Sequence, residues 1–264
     1  PRPVAEIEEI IVGSKSMPFE DYIACRLMDL LVETFYNNAL FEEIFDLLKS
    51  LEVPLFDCLV HMQEHPETHS AEVKAIIADF VYQTSEDLFK TREDAYAFVL
   101  TPEIINKYIG GELGINELLV SKARLFCEFD AASKLLFAAV KDCIKRKGRL
   151  SPAMDAYLGE LQRFITHRKK DAITESGKTI TARFNYDFKA VAAAGYKIDP
   201  DKLPRLESQI EYEFFHDEEQ KRHIARQLGI YSSTPIGLGR LIQRSNLKLM
   251  YRRFEPRVTA APAR

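Results

Sequence analysis

The hydrophobic period of this chain changes once, and that change limits the fold more than any motif does. Up to about residue 165 apolar residues recur at helical spacing, and beyond about residue 170 they alternate. Phe19, Tyr22, Ile23, Leu27, Leu30, Leu31 and Phe35 mark one helix face, opened by Ser16, Pro18 and the acidic pair Glu20 and Asp21. Asn37 and Asn38 are expected to interrupt it. Leu40, Phe41, Ile44, Phe45, Leu47 and Leu48 mark the next helix, and Pro54 and Pro66 bracket a short third. Another runs from about Ser70, its register blurring after Thr84. Thr101 and Pro102 open a short helix that ends at Gly110 and Gly111. Asn116 is read as the cap of the longest helix, which keeps its period through Cys143 and closes with Lys145, Arg146, Lys147 and Gly148. Ser151 and Pro152 start one more, carrying Met154, Tyr157, Leu158, Leu161 and Ile165.

From Ile180 the apolar residues Ala182, Phe184, Tyr186 and Phe188 alternate with polar ones, as in a half-buried strand. Ile210, Tyr212 and Phe214 repeat the pattern, and the two strands are expected to pair antiparallel across a loop marked by Pro200 and Pro204. Helices are predicted at about 217–228 and after Thr234-Pro235. The fold class that follows is mainly α: a helical array, then a small α+β unit with a short antiparallel strand pair. The divisions are an extended arm or linker at 1–17 (residues 6–12 are short and β-branched), a helical domain at 18–168, the α+β unit at 169–253, and a flexible tail at 254–264.

With 264 residues, 46% of them apolar, the chain can bury a sizeable core and is too apolar and aromatic to be a disordered tail. No run approaches the ~18 apolar residues that span a bilayer, so no membrane partner is expected. No basic-then-apolar leader is present and the chain opens on Pro1, which reads as a segment or processed product. Cys25, Cys58, Cys127 and Cys143 are far apart in sequence and lack metal-ligand spacing. They are expected to be four reduced, buried thiols in a cytoplasmic protein. The net charge of −4 hides a division: residues 1–140 hold 11 Lys and Arg against 25 Asp and Glu, and residues 141–264 hold 25 against 15. The reading favoured is that the two parts face each other or a neighbouring domain; nucleic acid is the less favoured partner for the basic half.

Motifs for chemistry are few. Ala172 to Gly177-Lys178-Thr179 imitates a phosphate loop, but a basic helix precedes it and a strand follows, the reverse of what that loop needs. It reads as a helix-to-strand turn. His61, His65 and His69 are spaced by four, yet Pro66 should end the helix before His69, so they read as partly exposed histidines at a helix end. The Glu6, Glu8, Glu9 and Glu42-Glu43 clusters read as solvated faces. Three glycines in Gly110-Gly111-Glu112-Leu113-Gly114-Ile115-Asn116-Glu117 suggest a specified turn, from which Glu112 and Asn116 could point at a partner or ligand.

The order Glu9-Ile10-Ile11-Val12-Gly13-Ser14, Ser16-Met17, Phe19-Glu20-Asp21-Tyr22, Cys25-Arg26, Phe35-Tyr36-Asn37 and Ile109 to Leu118 resembles the C-terminal region of cobalamin-binding radical S-adenosylmethionine proteins. The resemblance covers most of residues 6–145. It implies a parent with a cobalamin-binding domain, a radical barrel holding a four-iron (4Fe-4S) cluster with S-adenosylmethionine, and this region as an accessory domain. Its partners would be those two upstream domains. No C-x-x-x-C-x-x-C triplet or glycine-rich βαβ segment is present here, so no catalytic, cofactor-binding or metal residue carries over. The expectation is a domain that is not catalytic alone and helps shape the substrate site, with residues 6–16 and 110–117 (Glu112 and Asn116 foremost) as contacts with the core. The alternatives are a freestanding helical interaction or nucleic-acid-binding protein using the basic half, and an independent small enzyme with a site of its own.

Overall fold

The computed structural model describes residues 7–38, 40–86, 88–110, 113–114, 116–199, 202–203 and 205–257. Residues 7–14 have no regular structure, so the β-branched arm forms no strand there. Helix α1 (Phe19–Val32) runs directly into a π-helical turn, Glu33–Asn37, so the break expected at the asparagines is a widening of the helix. Then come α2 (Phe45–Ser50), α3 (Leu55–Glu64), α4 (Ala71–Glu86), α5 (Arg92–Val99) and α6 (Pro102–Gly110).

The long helix expected after Asn116 is two helices, α7 (Glu117–Cys127) and α8 (Phe129–Arg146). Glu128, at φ −81° and ψ 46°, leaves the helical region between them. The apolar period survives the break because Phe126 and Phe129 both stay buried, which is why the break is silent in the sequence. Helix α9 (Pro152–Lys169) starts on Ser151, whose hydroxyl accepts the Met154 N–H, with proline at its first position.

The sheet follows the change of period. Strand β1 (Ile180–Tyr186) pairs antiparallel with β2 (Arg205–Phe215), placing Ile180 opposite Phe214 and Ala182 opposite Tyr212. A short helix α10 (Phe188–Ala193) fills the connection, started by Asp187, whose carboxylate accepts the Lys189 and Ala190 N–H groups. Pro200 and Pro204 lie outside the described residues. Helices α11 (Glu218–Tyr231) and α12 (Pro235–Arg244) follow as expected, α11 through a full capping box between Asp217 and Gln220. Strand β3 (Arg253–Pro256) corrects the reading of residues 254–256 as loose tail. It pairs antiparallel with β2 and sets Phe254 opposite Phe214, giving the sheet order β1-β2-β3. A four-residue strand carries too little alternation to be legible, and its partner lies about 40 positions back. Residues 258–264 lie outside the described residues.

The sheet's inner face is aromatic and packs on α9. Phe164 of α9 stacks on Phe188 at 4.3 Å between ring centres and meets Phe254 and Phe214 edge-on at 4.8 and 5.6 Å. Burying such a ring contributes ~1.5–3 kcal/mol, and favourable ring pairs add to that. Helix α12 closes on α7 at a glycine: a Cβ on Gly239 would sit 2.6 Å from both Cγ and the carbonyl oxygen of Leu119. One hydrophobic cluster therefore runs from Leu30 to Phe254 through both α9 and the sheet. No helix among the described residues is long and apolar enough to cross a membrane.

Candidate functional site

Helices α5 and α6 differ from the rest of the array. No residue between 88 and 110 belongs to the central hydrophobic cluster or packs on its edge. They pack chiefly on each other, with Ala95 the buried residue of α5 and none buried in α6. Their outer side carries Phe98, Leu100, Tyr108 and Ile109 exposed, Ile109 to 78%. Helices of eight and nine residues are marginal in water without tertiary packing.

The arm comes to the same place. Glu9 reaches Arg92 of α5 at 3.7 Å, and between Glu9 and α1 the side chains of Ile10 and Ile11 stand 53% and 79% exposed. The arm is held at its root, where the Ser14 N–H donates to the Met17 carbonyl at 2.7 Å and the Ser14 hydroxyl accepts from the Met17 N–H. At the far end α6 runs into the glycine segment. Gly114 sits at φ +72°, and a Cβ there would meet the Tyr108 ring at 2.8 Å. A side chain at Gly114 would be strained at this positive φ, while Gly111, Glu112 and Ile115 of the segment lie outside the described residues.

Of the two named contact residues, Glu112 lies outside the described residues. Asn116 is the N-cap of α7: its side-chain oxygen accepts the Leu119 N–H at 2.8 Å. Next to it Glu117 accepts from Arg26 of α1 at 2.6 Å, which ties the end of the turn to the array. Asn116 therefore has a structural task whatever else it touches.

The charge division is met in part within the chain. Lys169, Arg168, Lys170 and Lys248 reach Glu43, Glu43, Asp130 and Glu42, joining the basic second part to the acidic first. Within the second part Lys189 pairs with Glu255 and Arg253 with Asp217. These flank an open cleft of about 410 Å³ lined also by Arg168, His223 and Arg252. The reading of Glu42-Glu43 as a solvated face is corrected for Glu43, whose side chain is fully buried. It accepts from Lys169 Nζ at 2.7 Å and Arg168 Nη1 at 3.1 Å, while Lys169 also donates to the Leu40 carbonyl at 2.7 Å. Burial pushes the Lys169 ammonium down from its usual range and the Glu43 carboxylate pulls it back. With no exposed surface, Lys169 is a lock between α9 and the residues before α2, and not an accessible nucleophile.

The histidines separate. His61 and His65 rings lie 4.1 Å apart, with His61 Nε2 3.3 Å from Asp142, while His69 turns inward to the Met62 carbonyl at 2.7 Å. Among the described residues no three His, Cys, Asp or Glu side chains are grouped to hold a metal ion. Residues 171–177 form the turn between α9 and β1, with Ala172 and Ile173 buried. Comparison with models of protein families, with curated proteins and with solved structures gives no match for this chain.

Proposed function

We propose that this chain is an accessory domain, not catalytic by itself, that packs through its arm and the α5–α6 pair onto a larger catalytic core. The resemblance carried by residues 6–145 makes that core the barrel of a cobalamin-dependent radical S-adenosylmethionine enzyme. The observation that carries the reading is a pair of short helices outside the central core, with apolar side chains facing outward beside an arm that exposes Ile10 and Ile11. Exposed apolar groups on neighbouring elements mark an interaction surface. By the resemblance, Glu112 and Asn116 would help shape the substrate site of that core. Pairing of Arg168, Lys169, Lys170 and Lys248 with acidic residues of the first part supports docking within one polypeptide over the nucleic-acid alternative.

The test compares hydrogen exchange in the 264-residue chain with that in the polypeptide read from the frame upstream of Pro1. Residues 7–14 and 92–110 are expected to gain protection in the longer polypeptide. A frame without a C-x-x-x-C-x-x-C barrel removes the radical assignment. Unchanged exchange in a polypeptide that has the barrel removes the docking surface. Activity unaltered by Glu112→Ala removes the role at the substrate site.

A further inference from the structure

Between Glu219 and Glu255 the chain carries no Asp or Glu and eight Lys or Arg. Much of this stretch is α11 and α12, joined by Ser232, Ser233 and Thr234. Two helices across a three-residue turn are the arrangement of a helix-turn-helix. The turn is tight. Ser232 takes φ +66°, Thr234 Oγ1 accepts the Gly237 N–H at 3.2 Å, and a Cβ on Gly237 would fall 1.8 Å from the Tyr231 carbonyl oxygen. At the other end of α12, Ser245 Oγ donates to Gln227 Oε1 at 3.3 Å. Leu238, Leu241 and Ile242 are buried on the inner side of α12, which packs chiefly on α7.

The outer sides are basic. Arg240, Gln243 and Arg244 stand exposed at helical spacing on α12, and Arg222 and Arg226 stand exposed one turn apart on α11. Among the described residues none of these four arginines pairs with a carboxylate. Arg222 Nε donates to the Glu218 carbonyl at 3.2 Å, and Arg226 Nη2 lies 3.3 Å from His223 Nδ1. The neighbouring cations are spent within the fold: Lys221 on Glu218, Lys248 on Glu42 and Arg253 on Asp217, with Arg252 buried.

We propose that the outer face of the α11–α12 unit binds the phosphate backbone of double-stranded nucleic acid, with Arg222, Arg226, Arg240 and Arg244 as its phosphate contacts. All four are arginine, whose planar fork meets two phosphate oxygens at once. A helix-turn-helix sets its first helix across the backbone and its second along the groove. A lipid surface calls for a broad apolar side next to the charges, whereas Ile230 is the large apolar residue that this unit exposes. The face uses no residue of the arm, α5 or α6, and none of Arg168, Lys169, Lys170 and Lys248, so it stands or falls apart from the docking reading.

The full chain is titrated into fluorescein-labelled DNA and RNA duplexes of about 20 base pairs, read by anisotropy between about 50 and about 200 mM salt. Reductant is kept present because Cys25 and Cys127 are exposed, which corrects the expectation of four buried thiols. Four phosphate contacts give a slope of log affinity against log salt of ~−3.6, a ~150-fold loss over that range. The duplex bound more tightly identifies the source of the phosphates. Arg240→Gln with Arg244→Gln should bring the slope to ~−1.8, while lysine at both positions keeps it near the parent's. Circular dichroism checks that each variant is folded. Lys145→Gln, Lys147→Gln and Arg149→Gln together, exposed cations outside the unit, should leave the slope unchanged. Overturning results are no binding to either duplex at about 50 mM salt, or a slope unaltered in the folded Arg240→Gln, Arg244→Gln variant. Equal affinity for polyglutamate or for vesicles of acidic phospholipid would also overturn it, as would binding abolished by the changes at 145, 147 and 149 alone.

Discussion

Replacing Glu43 with alanine should strongly destabilise this fold. The carboxylate has no exposed surface and accepts from Lys169 at 2.7 Å and Arg168 at 3.1 Å. Without it the Lys169 ammonium stays in the interior beside a second cation, keeping the Leu40 carbonyl at 2.7 Å and the Tyr251 ring at 4.7 Å as its remaining partners. Breaking a buried pair from one side costs ~3–5 kcal/mol because it leaves an uncompensated charge. For a chain of this size that is a fall in melting temperature of ~6–20 °C. Replacing both partners, Glu43→Leu with Lys169→Met, removes the stranded charge and should recover most of the loss, since Arg168 is 21% exposed and can turn to water. Urea unfolding followed by circular dichroism on the two single variants and the double gives the coupling directly. A loss under about 1 kcal/mol for Glu43→Ala, or a double variant no better than the worse single, would refute the account of this cluster.

Three further outcomes are expected. Asn116→Ala removes the cap of α7 and should lower stability by ~1 kcal/mol in a urea titration, with Asn116→Ser restoring most of it. Gly239→Ala drives a Cβ to 2.6 Å from the Leu119 backbone oxygen, so α12 must lift from α7 at a cost of ~1–3 kcal/mol; amide exchange along α12 should accelerate. His167 and His216 are both held below the usual histidine pKa, chiefly by burial and secondly by nearby cations at His167, and despite the Met250 carbonyl at His216. Protons therefore bind the unfolded chain first. The stability from these two is whole above about pH 6.5 and is lost as pH falls below it. Unfolding midpoints at about pH 7.5 and about pH 5.5 should differ less in a His167→Gln, His216→Gln variant than in the parent.

Much of the fold was legible because burial follows period. Met154, Tyr157, Leu158, Leu161 and Ile165 are all buried, and Phe184, Tyr212 and Phe214 sit on the sheet's inner face. The same rule, carried one step further, would have found the buried lysine. Leu161, Ile165 and Lys169 are spaced by four, so Lys169 falls on the buried face of α9 and needs a partner. The α10 helix also had a local sign in Asp187, a strong N-cap residue directly after the strand. Strand β3 and the Glu43–Lys169 pair had none, because each depends on which distant elements pack together. Of the candidate site, the left-handed glycine at 114 and the cap at Asn116 were readable from residue types. The detachment of α5 and α6 was not, since their amphipathic pattern looks the same whether its apolar side meets this core or another.

Helix α9 lies against α8 on one side, where Gln162 donates to Ser133 at 3.2 Å, and against the aromatic sheet on the other. The chain thus changes its secondary structure at residue 170 without changing its core. A protease cut in the 171–177 turn would sever the backbone between two pieces that each still need the other's side chains. The nicked molecule should hold together, and the pieces, mixed after separation, should find each other again by fragment complementation.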